Sequence, residues 1–303
     1  MMNRRWFTAA LALSATRTRT FAAEPPIDPI LWLCQRGSVR VYIMGYATAY
    51  DSSWLTPKIE RALNEMTELW LETPPGTTGA AQTGQGSQEK PSTVFEERGY
   101  DRSGNLFDKL PPDLSRRTLA WATRLGLDPK ILEPMRPWLA KTALQQTQAA
   151  AHQKTAPPTQ RVVSAENVVI AKARERGVPI RSESASLDDL LRFFANLPDD
   201  AQVEYLAEQV DYMDEHDSAS ANPTDTSWIS GRPDSRVIDE MGTRYPALYK
   251  AEHVDRNHAW AERIDGMLDS PGVHFVMIGN NHVLGPFSIP ESLRRINVPI
   301  QKI

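Results

Sequence analysis

A single cysteine, Cys34, excludes an internal disulfide and any multi-thiolate metal site. It closes the apolar run Ile30-Leu31-Trp32-Leu33, which predicts a buried structural thiol. No apolar run approaches the roughly 20 residues that cross a bilayer, so no transmembrane segment is expected in the mature chain. Charge of one sign is also lacking. A formal net charge of −4 gives no electrostatic reason to expect nucleic acid or anionic lipid as a partner. Four catalytic signatures are missing as well. The chain has no His-Glu-x-x-His helix, no Gly-x-Ser-x-Gly elbow and no Gly-x-Gly-x-x-Gly after a strand, and no Gly-Lys-Ser/Thr follows the glycines of 74–93. These absences argue against a zincin, a serine-triad hydrolase, a dinucleotide enzyme and a P-loop protein.

What remains is an ordinary globular composition, 41% hydrophobic and 24% charged over 303 residues, enough for one large core or two modest ones. The N-terminus reads as an export leader. Arg4-Arg5-Trp6-Phe7 precedes the weakly apolar Thr8–Ala15, in the manner of a twin-arginine signal cut near Ala22 or Ala23. Residues 1–23 carry four arginines and no acid, so their removal takes the net charge from −4 to −8. A periplasmic location follows as the expectation, with residues 24–303 as one domain.

The segment Val273-His274-Phe275-Val276-Met277-Ile278-Gly279-Asn280-Asn281-His282 organises the rest. A short apolar run bounded by turn formers suits a strand buried on both faces. Its Gly-x-x-His ending puts His282 at the carboxyl end of that strand, where open α/β sheets bind ligands. Such a histidine either lines a crevice or bonds to backbone. Residues 27–45 read as two strands around the Arg36-Gly37-Ser38 turn, with Val39, Val41 and Ile43 forming one apolar face. The second strand ends in Gly45-Tyr46-Ala47-Thr48, the same Gly-x-x-polar arrangement. Thr56-Pro57 opens a helix with Ile59, Leu63 and Met66 on one face. It leads to the strand Leu69-Trp70-Leu71 and the strand-end Glu72, completing a βαβ unit with Thr48 and Glu72 as neighbours.

Residues 74–93 are polar and glycine-rich, the composition of a mobile loop. Residues 105–153 read as a helical insertion. A helix at 165–176 and the strand Val178-Pro179-Ile180 lead to a second strand-end acid, Glu183. Helices follow at 187–196, 199–215, 234–248 and 252–268, the last carrying Arg256 and Asn257, and Val298 to Lys302 forms a closing strand. His253 and His258 lie five apart, on different helix faces. A carboxylate and an imidazole at strand ends can hold a divalent metal, and a second carboxylate can serve as base, although acids there also act as caps or ion-pair partners.

In matching order over about residues 27–303, these segments resemble the TraB/GumN family, related to the Tiki membrane proteases and more distantly to the ChaN/EreA-like group. The matching stretches are ILWLCQRGSVRVYIMGYAT, LTPKIERALNEMTELWLE, MRPWLAKTAL, IRSESASLDDLLRFFANLP, SWISGRPDSRV, RYPALYKAEHVDRNHAWAERI and VMIGNNHVLGP. The resemblance implies a metal-dependent hydrolase, peptidase-like, built on two Gly-x-x-His motifs and a strand-end glutamate. On that reading Glu72 and His282 are metal ligands for manganese, cobalt or zinc, Glu183 is base or third ligand, and Arg256 binds an anionic substrate group or steadies a carboxylate. Gly45 and Gly279 are the motif turns, with Asn257 beside the site. One position departs decisively: Thr48 stands where the family has its first histidine, and a neutral hydroxyl is a poor ligand for such metals. Glu166 also replaces an aspartate. Metal binding is therefore expected to be weak or absent. Two functions follow: a divergent hydrolase, or a non-catalytic protein that keeps the cleft for a peptide or small-molecule ligand. The expected fold is α/β, two βαβ-like halves forming a mixed central sheet under a helical cap, with Thr48 and Glu72 facing Glu183, Arg256 and His282.

Overall fold

The computed structural model describes residues 27–49, 52–75, 92–155, 163–216 and 228–303, with backbone alone at 48–49, 152–155 and 163. The export leader of 1–23 lies outside these residues, as do nearly all of the 74–93 loop and the polar connectors near 156 and 220.

A six-stranded mixed sheet carries the fold. Its strands are β1 (Leu31–Arg36), β2 (Val39–Tyr46), β4 (Glu68–Leu71), β6 (Ile180–Ser182), β7 (Val273–Gly279) and β8 (Ile300–Lys302), in the spatial order β6-β4-β7-β2-β1-β8, while β3 (Thr48–Ala49) and β5 (Val163–Ser164) pair outside it. β6, β4, β7 and β2 are mutually parallel, while β1 is antiparallel to both β2 and β8. The carboxyl ends of four strands therefore open on one edge. β2 and β4 form the expected βαβ unit but are not neighbours, because β7 slots between them.

Strand periodicity explains the layers. On β7, Phe275 and Met277 pack with Met44, Leu69, Ile59 and Val169 on one face. Val276 and Ile278 pack with Ile43, Trp260, Ile264 and Leu293 on the other. β2 corrects the sequence expectation of a single apolar face: Tyr42 and Met44 are buried in one layer, Val41 and Ile43 in the other. Flanked by β1 and β7, this strand is central, and both its faces meet helices. Helix Pro57–Glu65 buries Ile59 and Leu63 as its spacing requires. Thr56 occupies the N-cap position, but its side chain makes no capping bond. Cys34 is fully buried, and burial pushes its thiol up to about 12.

A second core lies in the cap, around Leu114, Trp121, Trp138, Leu144, Leu206 and Leu248. Its helices come from three stretches of chain. Pro112–Arg124 and Pro137–Thr155 belong to the insertion; Leu187–Ala195 and Asp199–Glu215 follow β6; Arg236–Arg244 and Pro246–Tyr249 precede β7. The cap is thus wider than residues 105–153. β6 starts later than expected, at Ile180, because Pro179 has no N–H to pair, though its carbonyl still accepts from Leu69. Pro299 shortens β8 to Ile300–Lys302 for the same reason.

Candidate functional site

Gly45 and Gly279 end neighbouring strands, paired as Gly45 with Ile278 and Tyr46 with Gly279. After Gly279 the chain tightens into the 3₁₀ turn Asn280–Val283, which buries His282. That turn lies against Gly45, where a Cβ would collide with Val283 and stand 3.0 Å from the Asn280 Oδ1. A Cβ on Gly279 would stand 3.1 Å from the Glu72 Oε2. The first glycine admits the turn and the second admits the carboxylate. After β2, by contrast, the chain leaves the sheet edge: the backbone of Thr48 pairs with Ser164 in a separate two-stranded ladder (Thr48–Ala49 with Val163–Ser164). The expected side-chain approach of Thr48 to Glu72 lies outside the described residues.

Glu72 and Glu183 each follow the last residue of their strand, and the Leu71–Ser182 pairing sets the two acids side by side. Arg256, on helix Arg256–Met267, joins them. Its Nη2 donates to the Glu72 Oε1 at 3.2 Å and closely to the Glu183 Oε2, and its Nε donates to the Glu183 Oε1 at 3.2 Å. The Gly279 N–H donates to the Glu72 Oε2 at 3.0 Å. The His282 Nε2 stands 3.5 Å from the Glu72 Oε1. Asn257 fixes that imidazole. Its amide nitrogen donates to the Phe287 carbonyl at 2.8 Å, so its oxygen accepts from the His282 Nδ1 at 2.7 Å and the Nε2 faces Glu72. Glu72, Glu183, Arg256, Asn257 and His282 therefore meet at one edge.

Electrostatics follow from burial and contact. Burial alone would raise the Glu72 carboxyl. The charge and hydrogen bond of His282, the Arg256 guanidinium and the Gly279 N–H outweigh it and hold the group well below the usual carboxylate range. For Arg256, burial works against the cation, but Glu72 and Glu183 prevail and raise its pKa. Tyr46 is raised by burial and then by Glu166 and Glu72, and its hydroxyl bonds to the fully buried Glu166.

The edge opens into a cavity of about 350 Å³ lined on its cap side by Phe194, Glu208, Glu252 and His253. Sequence reasoning missed these residues. Glu252 and His253 ride on a π-helical turn, Lys250–Asp255, one turn before Arg256 and Asn257. The 253/258 spacing drew attention away from His253, yet its i, i+4 relation to Asn257 was readable. Its ring stacks between Tyr249 and His282, with centroids at 5.5 and 5.1 Å. Burial, followed by the charges of His282 and Arg256, pushes its pKa down to about 3, so the imidazole is neutral. Glu208, on helix Asp199–Glu215, had no local signal, because only tertiary packing brings it to the cavity.

The side chains that could hold a metal are Glu72 and His282. A catalytic zinc normally takes three protein ligands, and among the described residues no three His, Cys, Asp or Glu side chains group to hold an ion. Both Glu72 oxygens already accept from protein donors, one of them the Arg256 cation. Among the described residues, Glu72 and His282 do not by themselves make up that three-ligand set. No helix of the described residues is long and apolar enough to cross a membrane. Residues 30–302 match the model of the TraB/PrgY/gumN family, and the chain belongs to that family. No curated protein and no solved structure gives a match.

Proposed function

For this member of the TraB/PrgY/gumN family, we propose a binding role: the carboxyl edge of the sheet and the cap enclose a peptide or small-molecule ligand without a resident catalytic metal. The observation that carries this reading is the saturation of Glu72. A divalent ion there would have to displace Arg256, whose charge lies 3.2 Å from the oxygen that faces His282. Arg256 bridges two neighbouring carboxylates and offsets their mutual repulsion, which is the electrostatic work a bound cation would do. The Arg4-Arg5 leader supports export of the mature chain to the periplasm.

A second reading, a metal-dependent hydrolase with Glu72 and His282 as ligands and Glu183 as base or third ligand, is favoured by Asn257. An imidazole whose Nδ1 donates to a fixed acceptor while its Nε2 faces outward is the arrangement of metal-binding histidines. Thermal shifts with manganese, cobalt and zinc separate the two. The binding reading expects no shift that depends on His282. A stabilisation that disappears in His282→Ala would favour the hydrolase. Thr48→His, which returns an imidazole to the first motif, is expected to raise cobalt affinity above that of the wild type.

A further inference from the structure

We infer that Glu208 and Glu252 form a recognition wall for a positively charged ammonium or guanidinium group on the ligand, so that the cleft selects basic ligands. The inference rests on the cavity being a ligand site, not on which metal, if any, Glu72 and His282 bind.

The two glutamates line the same cavity as Glu72 and His282, one from helix Asp199–Glu215 and one from the π-helical turn. Neither carboxylate has a hydrogen bond or an ion pair among the described residues. Both are half-buried, whereas Glu72 and Glu183 are bonded together through Arg256. The other nearby cation, Lys141, does not serve Glu208 and Glu252 directly. Its Nζ donates to the Gln145 Oε1 at 2.9 Å and the Tyr205 hydroxyl at 3.0 Å, and it lies 4.1 Å from the centre of the Tyr205 ring. From there it offsets the glutamates' charge without bonding to either. Burial wins, raising Glu208 to about 7 despite Lys141 and Glu252 above its ordinary value despite Arg256 and Lys141.

An independent observation points to a ligand at the same place. His253 lines this cavity and is only 4% exposed, and its Nδ1 has no hydrogen-bond partner among the described residues. That nitrogen is a buried polar atom beside the two carboxylates. Phe194, stacked on Tyr205 with ring centroids 4.9 Å apart, gives the cavity an aromatic wall suited to the aliphatic stem of a basic side chain. The cavity does not end there. Glu208, Met241 and Asn281 also line an adjoining groove of about 710 Å³ between helices Pro137–Thr155, Asp199–Glu215 and Arg236–Arg244. A cation at Glu208 would therefore sit where a short pocket meets a long groove, the geometry of a basic residue within a peptide rather than of a free amine.

The test is calorimetric titration of the purified full chain at pH 8 with acetyl-Gly-Lys-Gly-amide, its norleucine analogue and free cadaverine. The lysine peptide is expected to bind at least tenfold more tightly than the norleucine peptide, and cadaverine more weakly than the lysine peptide. The double substitution Glu208→Gln, Glu252→Gln should abolish the preference without lowering the melting temperature, because it removes two carboxylates that repel each other. Cadaverine binding as tightly as the lysine peptide would support the wall but assign it to free amines. Equal binding of the two peptides, or a preference that survives the double substitution, overturns the inference and leaves the ligand-binding reading standing. Binding of none of the three probes overturns both.

Discussion

Two pairs of carboxylates lie near the carboxyl edge of the sheet, and they are built in opposite ways. Glu72 and Glu183 extend from adjacent parallel strands, and Arg256 bonds both directly. Glu208 and Glu252 stand on the cap, and their cation, Lys141, is bonded elsewhere. In the first pair, Glu72 is held as a carboxylate, well below its usual range. In the second, Glu208 is pushed up to about 7 by burial. Residue type and burial are similar, so the decisive variable is whether the cation makes contact. Contact turns the sheet-edge pair into a rigid part of the site. Its absence leaves the cap pair available to a ligand.

The largest effect should come from breaking the first pair. Arg256→Met leaves two little-exposed carboxylates without their counter-charge and is expected to cost about 3–5 kcal/mol in urea denaturation. A loss under about 1 kcal/mol would mean that Glu72 and Glu183 are solvated, and the contrast would collapse.

The next effect is a difference in sign with pH. Glu72 lies below its ordinary value of 4.5, so its contribution is present above that pH and is lost as the medium is acidified further. Glu208 lies above 4.5, so its contribution is present below 4.5 and is lost as pH rises towards about 7. Glu208→Gln should flatten the fall in stability across that interval, a gain on the order of 2 kcal/mol at pH 8 by denaturation midpoint. An unchanged slope would show that Glu208 is not held protonated.

The smallest effect sharpens the geometry of the first pair. Gly279→Ala places a Cβ 3.1 Å from the Glu72 Oε2 and should cost about 1 kcal/mol while weakening the N–H contact to that oxygen. The corresponding Gly45→Ala, which collides with the Val283 side chain, should cost more. Equal values would mean that the two strand ends are equally tolerant.

Much of this edge was legible in the sequence because strand-end chemistry is local. Gly279 and His282 lie on one turn, Glu72 and Glu183 each follow a short apolar strand, and Arg256 and Asn257 share a helix. The insertion of β7 between β2 and β4 was not legible, since pairing across some 200 residues leaves no local pattern. The double burial of β2 was hidden too, because its alternation with Arg40 makes Tyr42 look solvent-facing until folding covers it. The cap wall escaped for a related reason: Glu208 and Glu252 are unremarkable helix acids until folding sets them across one cavity.

The account stands most directly on the metal content of the mature protein, purified without chelators and measured by elemental mass spectrometry. With Arg256 holding Glu72 and Glu183, and threonine at position 48, manganese, cobalt and zinc should be far below one per chain. One metal per chain, lost in both Glu72→Ala and His282→Ala, would contradict it.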